Sequence, residues 1–355
     1  MTSSAANLAL ETLQAEVIEL IGRLPEMEHG ALIQQALTTL VRMAEVEADR
    51  LDWKIFNASI QDMEGAFRVF YPYRHVRKVA IFGSARVAAD SREYQLAVDF
   101  ARCVTQEGFM VITGAGGGIM QAGNEGAGAE KSFGLNIRLP FEQGANPFIE
   151  GDRKLIDFKY FFTRKLFFLR ESDALALFPG GFGTLDEAFE CITLMQTGKS
   201  VLLPLVLIDQ PGGDYWYSWE AYIKEQLLKK RLISPGDLNL YTITDNLDVA
   251  CEAIKSFYRV FHSSRYFGDQ LVILLKSELS DEKLDYLNQE FSDILVQGRI
   301  EKSRSLPQEA KSGTADLPRL TMHFNQRDLG RLYQMIRVIN QLGMEAPEAS
   351  HPEQK

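Results

Sequence analysis

A buried strand that runs directly into a glycine-rich turn constrains the fold of this chain more than any other sequence feature. Residues 173–178 read Asp-Ala-Leu-Ala-Leu-Phe, and the lack of polar alternation predicts a strand covered on both faces. Residues 179–184 read Pro-Gly-Gly-Phe-Gly-Thr, and apolar side chains then recur with helical spacing through residue 195. The pattern predicts a strand, a tight turn and a helix.

This turn has the composition of an anion-binding loop. Its glycines let backbone N–H groups converge on a ligand, and the start of the following helix adds a dipole that favours phosphate. Thr184 can add a hydroxyl group, and Glu187 is expected in the first turn of the helix, facing whatever the turn binds. The plain alternative is a tight turn followed by an acidic helix start.

Two more turns of small residues follow predicted strands. The strand at 78–82 ends in Gly83-Ser84-Ala85-Arg86, and the strand at 109–112 runs into Thr113–Met120, which contains Gly116, Gly117 and Gly118. The second turn is not a P-loop, because no Gly-Lys-Ser/Thr follows it, and its spacing departs from the dinucleotide fingerprint. Each turn is a weak signal alone, but each predicts a place where an anion can approach the backbone.

Strands and helices alternate from about residue 78 to residue 261. This alternation predicts an α/β fold, a Rossmann-like doubly wound parallel sheet with helices on both faces. Such sheets bind ligands at the carboxyl ends of their strands, where all three turns are expected. The other strands are expected at 133–140, 201–208 and 241–243, and helices at 91–106, 215–230 and 246–261.

The segments on either side have a different character. Helical periodicity at 7–23, 30–50 and 51–70 predicts N-terminal helices that serve packing or oligomerisation. After residue 262 we expect a small C-terminal α+β appendage, either regulatory, oligomer-forming or merely structural. It has strands at 270–276 and 319–324, helices at 280–296 and 326–342, and a polar linker at 303–316. The predicted domains are 1–74 (helical), 75–261 (catalytic), 262–343 (appendage) and 344–355 (disordered tail).

Composition narrows the class of protein. The net charge of -10 disfavours binding to a nucleic-acid backbone, which is itself negatively charged. No apolar run is long enough to span a bilayer, and the N-terminus lacks a signal-peptide pattern, so we expect a cytoplasmic protein. Cys103, Cys191 and Cys251 lie far apart in apolar helical contexts, which favours packing over a disulfide or zinc. The five histidines show no metal-binding spacing, so no metal site is expected.

An aromatic helix at 160–169 contains two adjacent cations, Arg164 and Lys165, with Thr163 expected to cap its start. Burial of an uncompensated cation is costly, so at least one of the two needs an anionic partner or a water-filled cleft. For Arg164 we favour a functional role. For Lys165, extension of the side chain into solvent is an equal alternative.

Together these motifs resemble the LOG ("lonely guy") family of nucleoside 5′-monophosphate phosphoribohydrolases, in its longer bacterial branch, over residues 75–261. Members have also been called lysine decarboxylase-like. The Pro-Gly-Gly-x-Gly-Thr-x-x-Glu pattern with an upstream Arg-Lys pair is highly specific, whereas neither is specific alone. Ala115, Gly117 and Gln121 depart from the usual residues of that branch, which bears on substrate preference. The likeness rests on Gly83–Arg86, Thr113–Met120, Gly134–Ile137, Leu139-Pro140, Asn146-Pro147, Tyr160–Lys165 and Pro179–Glu187.

The resemblance implies cleavage of the N-glycosidic bond of a nucleoside 5′-monophosphate, such as AMP or a cytokinin ribotide, to free base and ribose 5-phosphate. Glu187 matches the catalytic glutamate of the family and Arg164 its catalytic arginine. No metal or redox cofactor is required, and at least a homodimer with sites near the subunit interface is implied. The expected substrate-binding residues are Gly83, Ser84, Gly116, Gly117, Gly118, Asn136, Lys165, Gly180, Gly181, Gly183, Thr184 and Glu190.

Two other functional classes stay open. One is a nucleotide sensor of the same fold that does not catalyse, with the appendage as its output. The other is a carrier of a pterin-type cofactor. The presence of both Arg164 and Glu187 favours the hydrolase over the sensor, and nothing in the chain indicates a pyridoxal phosphate site for a decarboxylase.

Overall fold

The computed structural model of the protein describes residue 19 and residues 21–45, 48–137, 144–304 and 313–343. The helix expected at 7–23 lies mostly outside these residues, and the tail 344–355 lies wholly outside them. The chain divides into two compact units, Met1–Gln61 and Asp62–Lys355. The helices expected at 30–50 and 51–70 are confirmed as α1 (Gly30–Glu45) and α2 (Arg50–Phe70), and α2 continues from the first unit into the second.

The second unit contains the predicted parallel sheet. Its seven strands are all parallel, in the order β4-β3-β2-β1-β5-β6-β7, which confirms the Rossmann-like doubly wound fold. The chain steps outward from β1 in one direction and then restarts on its other side with β5, so the order reverses between these two central strands. The strands are β1 (Lys78–Phe82), β2 (Met110–Thr113), β3 (Ser132–Ile137), β4 (Leu155–Phe158), β5 (Ala174–Leu177), β6 (Leu205–Ile208) and β7 (Thr242–Thr244).

Helices cover this sheet, and every residue of β1, β2, β5 and β6 is buried. That burial explains why these strands have continuous apolar sequences. A π-helical turn, Ile223–Leu228, extends α7. The helices are α3 (Arg92–Gln106), α4 (Ile119–Ala127), α5 (Phe161–Arg170), α6 (Phe182–Gln196), α7 (Tyr215–Tyr222) and α8 (Leu247–Phe257).

The sequence did not indicate strand β4. It lies at the edge of the sheet, beside β3, and its four residues include the exposed Asp157. An edge strand is half-solvated, so it lacks the continuous apolar character by which central strands are recognised. The strand expected at 201–208 is likewise shorter, because only Leu205–Ile208 pairs with its neighbours.

The C-terminal part forms a separate antiparallel sheet in the order β10-β11-β9-β8. The strands expected at 270–276 and 319–324 and the helix expected at 326–342 are confirmed. Helices expected at 246–261 and 280–296 end earlier, at Phe257 and Glu290, because strands β8 and β10 follow them. Both new strands are at the sheet edges and are largely polar. The elements are β8 (Phe261–Phe267), β9 (Gln270–Leu275), α9 (Asp281–Glu290), β10 (Leu295–Ser303), β11 (Arg319–Phe324) and α10 (Leu329–Leu342).

The expectation that all three cysteines serve packing is wrong for two of them. Cys103 on α3 and Cys251 on α8 form a disulfide, with Cα atoms 6.6 Å apart and 148 residues between them in sequence. The two helices pack side by side, and sequence spacing cannot reveal a pair that only packing brings together. Cys191 on α6 is a buried free thiol, as expected.

No helix among the described residues is long and apolar enough to cross a membrane.

Candidate functional site

The three turns predicted to bind an anion meet at the carboxyl edge of the sheet. The turn after β1 is hydrogen-bonded to both others: the backbone N–H of Ser84 donates to the carbonyl of Pro179 at 3.0 Å, and that of Ile119 donates to the carbonyl of Ser84 at 3.1 Å. This follows from topology, because β1 lies between β2 and β5. The sequence-based expectation that these turns share one edge is confirmed.

Two glycines allow the turns to approach this closely. Gly118 has φ +61°, and a Cβ there would lie 2.3 Å from the carbonyl oxygen of Ser84. A Cβ on Gly180 would lie 2.1 Å from Thr184 Oγ1 and 3.1 Å from the carbonyl carbon of Gly83. Both positions therefore exclude any larger residue, because a side chain would separate the turns.

Other glycines border open space instead. A Cβ built on Gly181 or Gly183 would meet no atom of the described structure within 4 Å. The backbone at the start of α6 is therefore accessible to a ligand. A cavity of about 460 Å³ lies beside the turns after β1 and β5. It is lined by Ser84, Val87, Ala88, Ser91, Glu93, Ile119, Pro179 and Gly180.

The helix after β5 begins earlier than the sequence suggested. Helix α6 starts at Phe182, so its first turn includes Gly183 and Thr184. Only Pro179, Gly180 and Gly181 form the connection between β5 and α6. Glu187 accordingly lies in the second helical turn, and the expectation of a first-turn position is wrong.

A tyrosine that sequence reasoning missed holds this connection in place. The hydroxyl of Tyr215, at the start of α7, donates to the carbonyl of Gly180 at 2.6 Å. The two residues are 35 positions apart, and no motif links them.

Glu187 is the most perturbed carboxyl group of the site. It is only 8% exposed, and its Oε2 has no hydrogen-bond partner among the described residues. Burial raises its pKa to about 7, with the negative charge of Glu190 adding to the rise and the positive charges of Lys165 and Arg164 opposing it. A carboxyl group with this pKa gains and loses a proton near neutral pH, as a general acid or base must.

Arg164 projects from α5 toward the ends of β2 and β3. Its Nε donates to the carbonyl of Leu135 at 2.7 Å and its Nη2 to the carbonyl of Gly114 at 3.4 Å. Its guanidinium also lies 5.2 Å from the centre of the Phe168 ring. These contacts give the side chain one defined position, close enough to Glu187 to influence its pKa.

Lys165 is held between helices rather than extended into solvent. Its Nζ lies 2.8 Å from Asp186 Oδ2 and 2.6 Å from Glu190 Oε2, and the side chain is 17% exposed. Burial opposes the charged ammonium, but the two ion pairs outweigh it and keep the pKa of Lys165 above its ordinary value. The arrangement links α5, which carries Arg164, to α6, which carries Glu187.

A buried polar network supports the turn after β2. Asn146 Nδ2 donates to the carbonyl of Gly116 at 3.1 Å and to Asn124 Oδ1 at 2.9 Å. Thr113 Oγ1 donates to the same Asn124 oxygen at 2.7 Å. Sequence reasoning did not single out Asn124, although an asparagine inside an apolar helix is a signal that could have found it.

Asn136 is engaged away from the glycine turns. Its Nδ2 donates to Asp157 Oδ1 at 2.9 Å, on the neighbouring edge strand β4. Gly117 lies near the turn after β1, since a Cβ there would be 3.5 Å from the carbonyl of Ala85. Substrate binding by these two residues remains a prediction.

An exposed apolar surface borders the site on α5 and α6. Phe182, at the tip of the connection after β5, is 93% exposed. No sequence pattern predicted that these side chains would face outward. We call them the apolar rim: Phe161, Phe162, Leu166, Phe182 and Phe189.

The comparisons with known proteins bear on the same region. Residues 117–254 match the family model described as "Possible lysine decarboxylase", the older description of LOG proteins. This match agrees with the resemblance to LOG proteins that the sequence motifs indicate. The matched residues include Arg164, Lys165 and Glu187. No curated protein matches the chain.

Three solved structures are similar to about half of this chain. The molybdenum cofactor binding protein from Rippkaea orientalis is 18% identical, over 51% of this chain and 97% of that one, with a TM-score of 0.38. The molybdenum cofactor carrier protein from Chlamydomonas reinhardtii is 17% identical over 51% and 97%, with a TM-score of 0.37. DNA processing protein A from Helicobacter pylori is 18% identical over 50% and 79%, with a TM-score of 0.35. Likeness at this level carries no argument about function.

Proposed function

We propose that the domain built on the parallel sheet is a LOG-type hydrolase that cleaves the N-glycosidic bond of a nucleoside 5′-monophosphate to free base and ribose 5-phosphate. The observation that carries the proposal is Glu187 beside an accessible glycine turn. It is a buried carboxyl group with a pKa of about 7, and its Oε2 has no hydrogen-bond partner in the part of the chain that the structure describes. Glycosidic cleavage passes through an oxocarbenium-like transition state, and a nearby carboxylate stabilises that positive charge.

The same carboxylate can activate water. In the proposed reaction the water oxygen bonds to C1′ of the ribose, the bond from C1′ to the base nitrogen breaks, and the base takes the bonding electron pair. Glu187 accepts the proton that the water loses and returns it, directly or through water, to the nitrogen of the departing base, so that no proton is gained or lost overall. Arg164, held at the ends of β2 and β3, orients the nucleotide or assists departure of the base.

The turns supply the phosphate site of this proposal. Backbone groups of Gly180–Thr184 and Gly116–Gly118 hold the 5′-phosphate, helped by the dipole at the start of α6. The cavity beside Ser84 has the size of a small-molecule site and offers room for the nucleoside. The proposed substrates are AMP and cytokinin-type ribotides.

We also propose that the protein works as a homodimer or larger homo-oligomer in which a second copy covers the apolar rim. The side chains of this rim are large, apolar and exposed on two helices that the ion pair of Lys165 with Asp186 links, and such surfaces are typical of protein interfaces. Light scattering should show an oligomer that Phe182→Ser weakens. A monomer at micromolar concentration would contradict this proposal.

The test is incubation of the purified protein with AMP, GMP and isopentenyl-adenosine monophosphate, followed by chromatography for free base. Glu187→Gln should abolish base release while keeping the fold. Glu252→Gln, an exposed carboxyl change on the distant α8, is the matched control and should retain it. Nucleotide binding without turnover would indicate a sensor, and a co-purified yellow pterin would indicate a carrier; either result would overturn the hydrolase.

A further inference from the structure

The start of α5, the helix that carries Arg164, is held by a side chain from another part of the chain. Asp62, on α2, accepts a hydrogen bond from the backbone N–H of Lys159 at 3.1 Å and another from that of Tyr160 at 3.3 Å. The hydroxyl of Thr163 lies 2.8 Å from the same carboxylate. Asp62 precedes both the region that resembles the family and residues 117–254, so no family motif assigns it a role.

Asp62 anchors the residues that lead into the helix. Lys159 and Tyr160 precede its first residue, Phe161, and a carboxylate near a helix start is favoured by the helix dipole. The N-cap residue of α5 is Tyr160, whose side chain makes no capping hydrogen bond. Thr163 is the third residue of the helix, so the expectation that it caps the start is wrong.

The contact between α2 and α5 extends beyond the hydrogen bonds of Asp62. Phe67 on α2 meets Phe167 on α5 with ring centres 5.2 Å apart, and Phe70 stacks on Phe167 at 6.2 Å. The guanidinium of Arg170 lies 5.1 Å from the ring of Phe67. The segment of α2 from Asp62 onward therefore contacts both ends of α5.

The turn that Asp62 holds is the one from which Arg164 projects. The backbone N–H of Arg164 donates to the carbonyl of Tyr160 at 3.3 Å, and its side chain bonds to the carbonyl of Leu135 at 2.7 Å. We propose that Asp62 is a positioning residue for Arg164, fixing the start of α5 so that the guanidinium faces the nucleotide. This inference rests on the proposed function.

A positioning role makes a different prediction from a purely structural one. Misplacement of a reacting group by about 1 Å can cost 10²-fold in rate. Asp62→Ala should therefore lower kcat by about 10-fold to 10²-fold in protein that is still folded at the assay temperature. Asp62→Asn keeps an acceptor oxygen without the charge and should recover part of the loss. The matched control is Glu64→Gln, an exposed residue of the same helix that pairs only with Arg68 on that helix among the described contacts.

A double-mutant cycle with Arg164→Lys separates the two roles. Lysine keeps the charge but lacks the directional guanidinium. If Asp62 acts through Arg164, Asp62→Ala should lower kcat little further in the Arg164→Lys background. Effects that multiply, or a folded Asp62→Ala with wild-type kcat, would overturn the inference.

Hydrogen exchange tests the inference without any turnover. Asp62→Ala should speed exchange at the amides of Lys159 and Tyr160 about tenfold or more, while the free energy of global unfolding changes far less. Absence of base release from the wild-type protein would refute the proposed hydrolase alone. Unchanged exchange at both amides would refute the role of Asp62, whatever the activity.

Discussion

Replacement of Glu187 by glutamine should stabilise the protein at alkaline pH while it abolishes activity. The carboxyl group has a pKa of about 7 in the folded protein, against 4.5 for an exposed glutamate, and burial is the main cause. Between these two values the folded state holds a proton that the unfolded state has lost. The free energy of unfolding of the wild type therefore falls as pH rises through this window.

The size of the effect follows from the two pKa values. Each tenfold change in proton affinity is worth about 1.4 kcal/mol, so ionisation of Glu187 costs the folded protein about 3 kcal/mol in total. About 0.8 kcal/mol of this cost is already present at pH 5, where the carboxyl group of the unfolded chain is mostly ionised. The advantage of Glu187→Gln over the wild type should therefore grow by about 2.5 kcal/mol between pH 5 and pH 8.5.

The assay is urea denaturation of both proteins at several pH values across that range. The change with pH is the informative quantity, because it cancels the fixed cost of burying a glutamine amide without a partner, about 1–3 kcal/mol. Glu252→Gln removes only a surface ion pair with Arg259, which contributes at most about 1 kcal/mol, so its pH-dependent difference from the wild type should be much smaller. An advantage of Glu187→Gln that stays constant or shrinks toward pH 8.5 would refute the reasoning that Glu187 is ionised at a cost.

Three further predictions concern the same site. Lys165→Met removes a positive charge that lowers the pKa of Glu187, so this pKa should rise and the acidic limb of the pH–rate profile should move to higher pH. An acidic limb that stays in place would contradict the electrostatic role of the ammonium. Gly118→Ala should lower the free energy of unfolding by at least about 1–2 kcal/mol, because its φ is +61° and the new Cβ would clash with a backbone oxygen. An unchanged urea midpoint would contradict this prediction. Tyr215→Phe should lower the free energy of unfolding by about 1 kcal/mol, because it removes the hydrogen bond to Gly180. The same urea denaturation measures this change, and wild-type stability of the variant would show that the bond does not stabilise the protein.

The sequence predicted the central part of the fold well because the signals there are local. Strands β1, β2, β5 and β6 are buried on both faces, so continuous apolar residues and bordering glycines mark them directly. Edge strands β4, β8 and β10 were missed, since their solvated residues carry no such mark. The helix ends near Phe257 and Glu290 were misplaced for the same reason.

The candidate site was likewise predictable from sequence only in part. The glycine turns, Arg164 and Glu187 belong to contiguous motifs, so their residues and the sheet edge they share followed from sequence and topology. The Asp62 and Tyr215 hydrogen bonds join residues far apart in the chain, and no motif contains both partners.

The sequence by itself determined which elements form and in what order, because apolar periodicity and glycine placement act within a few residues. Only the tertiary structure decided the state of each functional group. The pKa of Glu187 depends on burial and on charges from a second helix, and the ion pairs of Lys165 join α5 to α6. The disulfide between Cys103 and Cys251 spans 148 residues. Desolvation and charge interactions depend on distance in space, and folding sets that distance independently of separation along the chain.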